Sequence, residues 1–285
     1  MSPRGWPREQ ANAVMDRAHV RTRVESTSNI ATIPDIVAKL RRSMDSRSAS
    51  AMAVGEEISK DQVLAAKVLR LVNSGFYGFR TPITTITQAM VLLGFDVVKT
   101  LVLSASVLDI LELMNKYLSG LWEHSLATAR VANVLAEGMR LQNPEEVAVA
   151  GLLHDLGKVI IAQRFPAENR EIRARVETAG GLQLDGERAV LGVTHPEIGM
   201  WLLRKWGLPD KLVYPIGYHH AFHRSREFAD RTAIVHVADI LVRARAFGYA
   251  GDDAIPAINP EAWDMLKISM SDVEGIYGEL DGELS

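Results

Sequence analysis

Apolar residues recur at helical spacing along nearly the whole chain. Ile86, Met90 and Leu93 share a face after Thr85, and Gly94 supplies a stop. Asp61 caps a predicted helix through Leu64, Val68 and Leu71, which Asn73-Ser74-Gly75 breaks. Pro34, after Thr32-Ile33, suits the first turn of another. Pro144 opens a predicted helix carrying Val147, Ala150, Gly151 and His154. Asp230 caps one with Ile234, Val237, Ala238 and Leu241. Alternation at period two is nowhere sustained, so the pattern predicts an all-α protein folded as a compact multi-helix bundle.

The 285 residues suffice for one large domain or two smaller ones with real cores. Leu113 to Leu121, with Asn115, Ser119 and Gly120, reads as a boundary. Residues 1–26 form a basic-leaning extension, expected as a helix at most loosely docked. Residues 27–115 read as a set of short helices without chemically active groups. Asn73 to Gly78 within it reads as a structural turn or a partner-contact loop. Residues 116–250 hold the candidate chemistry. Residues 251–285 carry nine acids against one base, Lys267, and are expected as solvated surface, with an acidic docking segment as the alternative.

Charge and composition then narrow the classes. A net charge of -3 gives no reason to expect nucleic-acid or membrane binding. The basic N-terminus alone would support a DNA-binding regulator, and nothing else does. The most apolar stretch, Val97 to Met114, is broken by Lys99, Asp109 and Glu112, so no bilayer span is expected. The first 25 residues lack the apolar run of a secretion signal. With no cysteine, there are no disulfides or thiolate metal sites, which fits a reducing cytoplasm. Any metal here must use nitrogen and oxygen ligands.

Seven of the eight histidines follow the boundary. His154-Asp155 lies in Gly151-Leu152-Leu153-His154-Asp155-Leu156-Gly157-Lys158, an odd pair for an apolar setting. His124 sits near the start of a predicted helix, His195 before Pro196-Glu197, and His219-His220 after Gly217-Tyr218. Asp239, flanked by Val237-Ala238 and Ile240-Leu241, should be buried, and a buried carboxylate needs a partner such as a metal. A lone histidine on a helix is ordinarily a hydrogen-bonded core or surface residue. The ordered set could converge only inside a helical bundle. Arg164, Arg204 and Lys205 read as surface charge, and Trp201 and Trp206 as packing residues.

His124, His154-Asp155 and Asp239 resemble the H…HD…D signature of HD-domain proteins, metal-dependent phosphohydrolases by origin. Lys158, His195 and His219-His220 extend the likeness to the ligand pattern of the HD-GYP subgroup, the cyclic-di-GMP phosphodiesterases. The Gly-Tyr-Pro motif of that subgroup is absent; Ala221-Phe222-His223-Arg224 follows instead. Ile33-Pro34, Asn73-Ser74-Gly75-Phe76-Tyr77-Gly78 and Ile86-Thr87-Gln88-Ala89-Met90-Val91-Leu92-Leu93-Gly94 look like the HDOD (HD-related output domain) family. So do His195-Pro196-Glu197-Ile198-Gly199 and Trp206-Gly207-Leu208-Pro209, and the likeness covers about residues 27–245.

The resemblance implies an N-terminal helical subdomain packed on an HD-like core, and two metal positions. His124, His154, Asp155 and Asp239 would hold the first. Asp155, His195, His219 and His220 would hold the second, with Asp155 bridging. Such ligands suit Fe, Mn, Zn, Ni or Mg. Asp155 and Lys158 are the implied catalytic groups. On a continuing helix Lys158 would share the face of Asp155; its other reading is a cation at a helix C-terminus. HDOD proteins are usually signalling modules. The expectation is therefore a cytoplasmic signal-transduction module retaining a two-metal site, whose partner is a signalling protein or a nucleotide. The alternative is an active metal-dependent phosphohydrolase acting on a nucleotide or cyclic dinucleotide.

Overall fold

The computed structural model describes residues 14–26, 81–94, 118–206 and 208–283, with isolated positions between 59 and 98. Among the described residues the chain is all-α, with no strand. In order the helices are α1 (Arg17–Glu25), α2 (Ile86–Leu93), α3 (Leu121–Gly138), α4 (Pro144–Leu153), α5 (Leu156–Arg164) and α6 (Pro166–Ala179). Then come α7 (Gln183–Leu191), α8 (His195–Lys205), α9 (Asp210–Tyr218), α10 (Ala229–Ala244), α11 (Pro260–Leu266) and α12 (Met270–Glu283).

Among the described residues the pairing of α3 with α4 is the most extensive, and α10 lies against both. Helix α9 packs on α4, α8 and α10, and α8 also packs on α5. Every residue of α10 from Thr232 to Val242 is buried. A helix covered on all sides belongs at the centre of a bundle, and α10 is the central post here. On α3 the buried face includes Leu121, His124, Thr128, Val131 and Leu135, so His124 points the same way as the apolar stripe.

Local signals explain several boundaries. Thr85 accepts the N–H of Gln88, and Gly94 ends α2 at φ 84°. Pro144 occupies the first turn of α4 beside Glu145 and Glu146, which face the positive helix end. Thr194 and Glu197 form a capping box at the start of α8, which fixes His195 as the first residue of that helix.

The structure departs from the sequence reading in five places. Helix α4 ends at Leu153, and His154-Asp155 forms the junction to α5 instead of continuing the helix. Asp230 does not cap α10; Phe228, in the left-handed region at φ 54°, precedes the helix and Asp230 lies in its first turn. Lys158 stands in the first turn of α5, so it is no C-terminal cation. Helix α1 is docked: Val20 and Val24 are fully buried, Arg17 pairs with Glu197 at 2.6 Å, and Arg17 and Arg21 lie over the Trp201 ring. The acidic C-terminal stretch folds too. Ala262 and Leu266 of α11 and Val273, Ile276 and Leu280 of α12 join the core, with α11 on α10 and α12 on α3. Acidic side chains line the outer faces, while the apolar positions supply the burial that orders the segment.

Trp201 and Trp206 are buried, as packing residues should be. Asn73 donates its side-chain amide to Ile83 O at 2.7 Å and accepts Ile83 N–H at 2.7 Å, a structural turn contact. Ile33-Pro34, Asp61, Leu64, Leu71, Ser74 to Gly78 and the 113–117 stretch of the boundary lie outside the described residues.

Candidate metal centre

Five elements deliver one cluster. His124 comes from α3, His154-Asp155 from the α4–α5 junction, His195 from the head of α8, His219-His220 from the end of α9, and Asp239 from the middle of α10. Two close approaches bring them together. A Cβ on Gly151 would meet Ala129 Cα and Thr128 O at 3.1 Å, so α4 lies tight against α3. A Cβ on Gly157 would stand 2.0 Å from His195 O, so the start of α5 lies directly on the start of α8. Proximity requires glycine at 157 and favours it at 151; neither has a left-handed φ.

The distances are those of ligands around a shared centre. His124 Nε2 is 3.3 Å from His154 Nε2 and 3.1 Å from Asp239 Oδ1. His154 Nε2 is 3.2 Å from Asp155 Oδ2, and His195 Nε2 is 3.1 Å from Asp155 Oδ1. The two oxygens of Asp155 therefore face different histidines, as a bridging carboxylate must. His219 packs against His154, His195 and His220 with ring centroids 5.0, 5.5 and 4.1 Å apart. Three sets of ligand atoms each fall within 4.8 Å of one another: His124, His154 and Asp239; His154, Asp155 and His219; and His195, His219 and His220. All seven residues of the sequence-derived ligand set meet here. His19 and His223 are exposed elsewhere, and His236 has a supporting role.

A second layer sets ring orientation. His154 Nδ1 lies 2.6 Å from Gly151 O, and His219 Nδ1 2.8 Å from Ile216 O. Both carbonyls accept, so each Nδ1 carries the proton and each Nε2 turns a lone pair inward. His195 Nδ1 donates to Glu187 Oε2 at 2.8 Å, and that oxygen also accepts His195 N–H at 2.7 Å. Gln183 Nε2 donates to the other Glu187 oxygen at 2.9 Å. His236 donates from Nδ1 to His219 O and accepts Asn259 N–H at Nε2. Arg243 Nε donates to Asp239 Oδ1 at 3.2 Å. Lys158 Nζ donates to Asp155 Oδ2 and to Ala250 O, both at 2.7 Å.

Glu187, Gln183, Arg243, Asp252 and His236 were not singled out from the sequence. For three of them a signal existed. The buried face of α7 is Gln183, Gly186, Glu187, Val190 and Leu191, so two polar residues occupy an apolar stripe. Arg243 follows Asp239 by one helical turn.

The electrostatics match the geometry. Burial lowers the pKa of His124, and lowers those of His219 and His220 well below the ordinary value. These imidazoles are neutral, as metal ligands must be. Burial raises Asp155, but His154 and Lys158 outweigh it and hold the carboxyl well below its usual range. Burial likewise raises Asp239, overcome by the hydrogen bond from His124 and the charge of Arg243. Burial lowers His195, but Glu187 more than compensates and raises it.

Among the buried polar side-chain atoms without a hydrogen-bond partner are four at the cluster: Asp155 Oδ1, His195 Nε2, His219 Nε2 and Asp239 Oδ2. Asp155 Oδ1 and His195 Nε2 lie 3.1 Å apart without a hydrogen bond between them. Each orphan would cost about 1–3 kcal/mol if nothing met it. All four belong to the ligand set and face its centre. The donor set, nitrogen and carboxylate oxygen only, fits borderline divalent ions and explains the orphans together.

Among the described residues no helix is long and apolar enough to cross a membrane. Known proteins resemble this chain across most of its length. It is 28% identical to an HDOD domain protein of unknown function from Geobacter sulfurreducens, whose crystal structure superposes with a TM-score of 0.72 over 94% of this chain and 95% of that one. A protein of Shewanella amazonensis SB2B, provisionally named a phosphohydrolase, is 25% identical with a TM-score of 0.68, covering 93% and 94% of the two chains. An uncharacterized protein of Treponema pallidum (strain Nichols) is 26% identical over 220 residues, 75% of this chain. A ribonuclease Y of Desulfotalea psychrophila is 29% identical over 160 residues, 56% of this chain. The chain spans 42% and 23% of the length of these two curated relatives. The HDOD domain family model matches residues 30–222, well over half of the chain. With that match, and with the fold shared with the Geobacter protein, the chain belongs to the HDOD domain family.

Proposed function

We propose that this protein is a cytoplasmic HDOD regulatory module that retains a two-metal centre. His124, His154, Asp155 and Asp239 hold one divalent ion, and Asp155, His195, His219 and His220 hold the other. The observation that carries this reading is the convergence of seven nitrogen- and oxygen-bearing side chains, four buried atoms of which have no hydrogen-bond partner. The module signals by binding another protein or a nucleotide. The burial of the centre supports regulation over turnover. Among the ligand side chains, those of His124, His154, Asp155, His195 and Asp239 are at most 2% exposed, and that of His220 is 8% exposed. A substrate would have to enter past His220.

A second reading, a metal-dependent phosphohydrolase, is favoured by Lys158. Its ammonium has three donors, and Asp155 and Ala250 take two. The third can hold a phosphoryl oxygen beside the bridging carboxylate. Divalent ions at the site would supply Lewis acidity and lower the pKa of bound water. The likeness to the Shewanella protein and to a ribonuclease Y supports a phosphoester substrate for this reading.

Elemental analysis of the purified protein tests the centre: two divalent ions per chain are expected, and Asp155→Ala loses both. A wild-type protein with none, even after incubation with Mn or Fe, would sink the proposal. Phosphate release from a nucleotide and cyclic-dinucleotide panel, abolished by His154→Ala, would promote the second reading over the first.

A further inference from the structure

The HDOD match ends at residue 222, yet the segment after α10 is fastened to the ligand cluster at several points. Gly248 leaves no room for a side chain: a Cβ there would stand 2.3 Å from His124 N and 2.5 Å from Gly120 O. Tyr249 N–H donates to Gly120 O at 2.9 Å, at the head of α3. Ala250 O accepts a second hydrogen bond from Lys158, beside the one to Asp155. A Cβ on Gly251 would stand 1.9 Å from Gln183 Oε1. The chain is thus pressed against the site over four successive residues.

Asp252 then joins the two halves of the centre. Oδ1 accepts from Arg243 Nη1 at 2.9 Å, and Arg243 Nε reaches Asp239. Oδ2 accepts Gln183 N–H at 2.8 Å; the Gln183 side chain holds Glu187, and Glu187 holds His195. Asp252 is 7% exposed, although it lies in the stretch richest in acids. One carboxylate therefore ends two hydrogen-bonded chains, one leading to a ligand of the first position and one to a ligand of the second.

We infer that residues 248–254 form a strap of the metal centre and that Asp252 is its positioning residue, setting Asp239 through Arg243 and His195 through Gln183 and Glu187. The inference rests on the two-metal reading above. It makes the strap a handle: whatever lifts it from the site loosens both positions at once. Outer partners of metal ligands commonly contribute about 10–100-fold in affinity, and that loss is expected at each position.

The test is stepwise Co(II) titration of the metal-free full-length protein, followed by absorption and calorimetry. Asp252→Asn should weaken both steps about tenfold or more. Arg243→Gln should weaken chiefly one step, and Glu187→Gln chiefly the other, a split that general loss of stability would not produce. A folded Asp252→Asn protein that binds both ions as tightly as the wild type overturns the inference. Should Asp252→Asn fail to fold, the other two variants decide: both steps within twofold of wild type in each would overturn it. A wild type that binds no Co(II) overturns the two-metal reading and the inference with it. Two ions in the wild type with unaffected variants overturn the inference alone.

Discussion

Gly157→Ala perturbs the centre without touching a ligand. Its new Cβ would lie 2.0 Å from His195 O, 2.7 Å from His195 C and 2.8 Å from His195 Cα, all main-chain atoms. Ordinary contact begins at 3.4 Å, so the heads of α5 and α8 must separate by about 1.4 Å along that line. Metal–ligand distances tolerate only about 0.2 Å. His195 would leave the second position while His124, His154 and Asp239 keep the first. Overpacking costs about 1–3 kcal/mol, and alanine in a helix returns up to about 1 kcal/mol over glycine. The metal-free variant should thus be destabilised by only about 0–3 kcal/mol and remain folded. Elemental analysis after desalting should show one ion in place of two, and urea denaturation should give the stability change. Gly275→Ala is the control: it sits within α12 with nothing inside 4 Å of the added Cβ, and should stabilise by roughly 0.5–1 kcal/mol with both ions retained. A Gly157→Ala protein with two ions and wild-type stability would refute the argument that contact between α5 and α8 sets the second position.

Three further outcomes follow. Lys158→Met removes the cation beside a buried carboxylate, which should cost about 3–5 kcal/mol in the metal-free protein and much less once ions compensate Asp155; equal losses in thermal melts with and without Mn would contradict this. Leu280→Ala should cost about 2–5 kcal/mol by urea denaturation, because Leu280 is fully buried; a change under 0.5 kcal/mol would mean the C-terminal helices are peripheral. Acid should destabilise the metal-free protein. The lowered values of His124, His219 and His220 mean that below about 6.5 the unfolded chain binds protons the folded one refuses, so stability falls as pH drops through that range. Asp155 and Asp239, held low, stabilise above the ordinary carboxylate range and lose that contribution as pH falls further. His195, raised, opposes the trend with one group against four, because burial lowers His236 as well. Melting temperatures that rise from pH 7.5 to 5.5 would reverse the sign and refute it.

The all-α class could be read from the chain because its signals are local. Thr85, Gly94 and Pro144 act within one turn, and each stands where the pattern placed it. The ligand candidates stood out because histidine and aspartate on apolar faces need a reason to be there; Asp239 between two apolar pairs is the clearest case. The break at His154-Asp155 was not legible, since neither residue is a helix breaker and the turn is imposed by packing against α3 and α8. Nor was Phe228 before α10, where an aromatic residue adopts a backbone it seldom takes. In the C-terminal stretch nine acids obscured Val273, Ile276 and Leu280, spaced for one helical face. Asp252 looked like one acid among many, and only its long-range partners distinguish it.

The anchoring of the imidazoles has an evolutionary side. His154 and His219 lean on the carbonyls of Gly151 and Ile216, three residues earlier, at helix ends where such oxygens are spare. Any amino acid presents that oxygen, so drift at these two positions cannot detune the rings through the acceptor itself. His195 leans on a side chain, and a single substitution at Glu187 is enough to release it. The cluster therefore has unequal mutational robustness, and a lineage losing the site should lose the His195 half first.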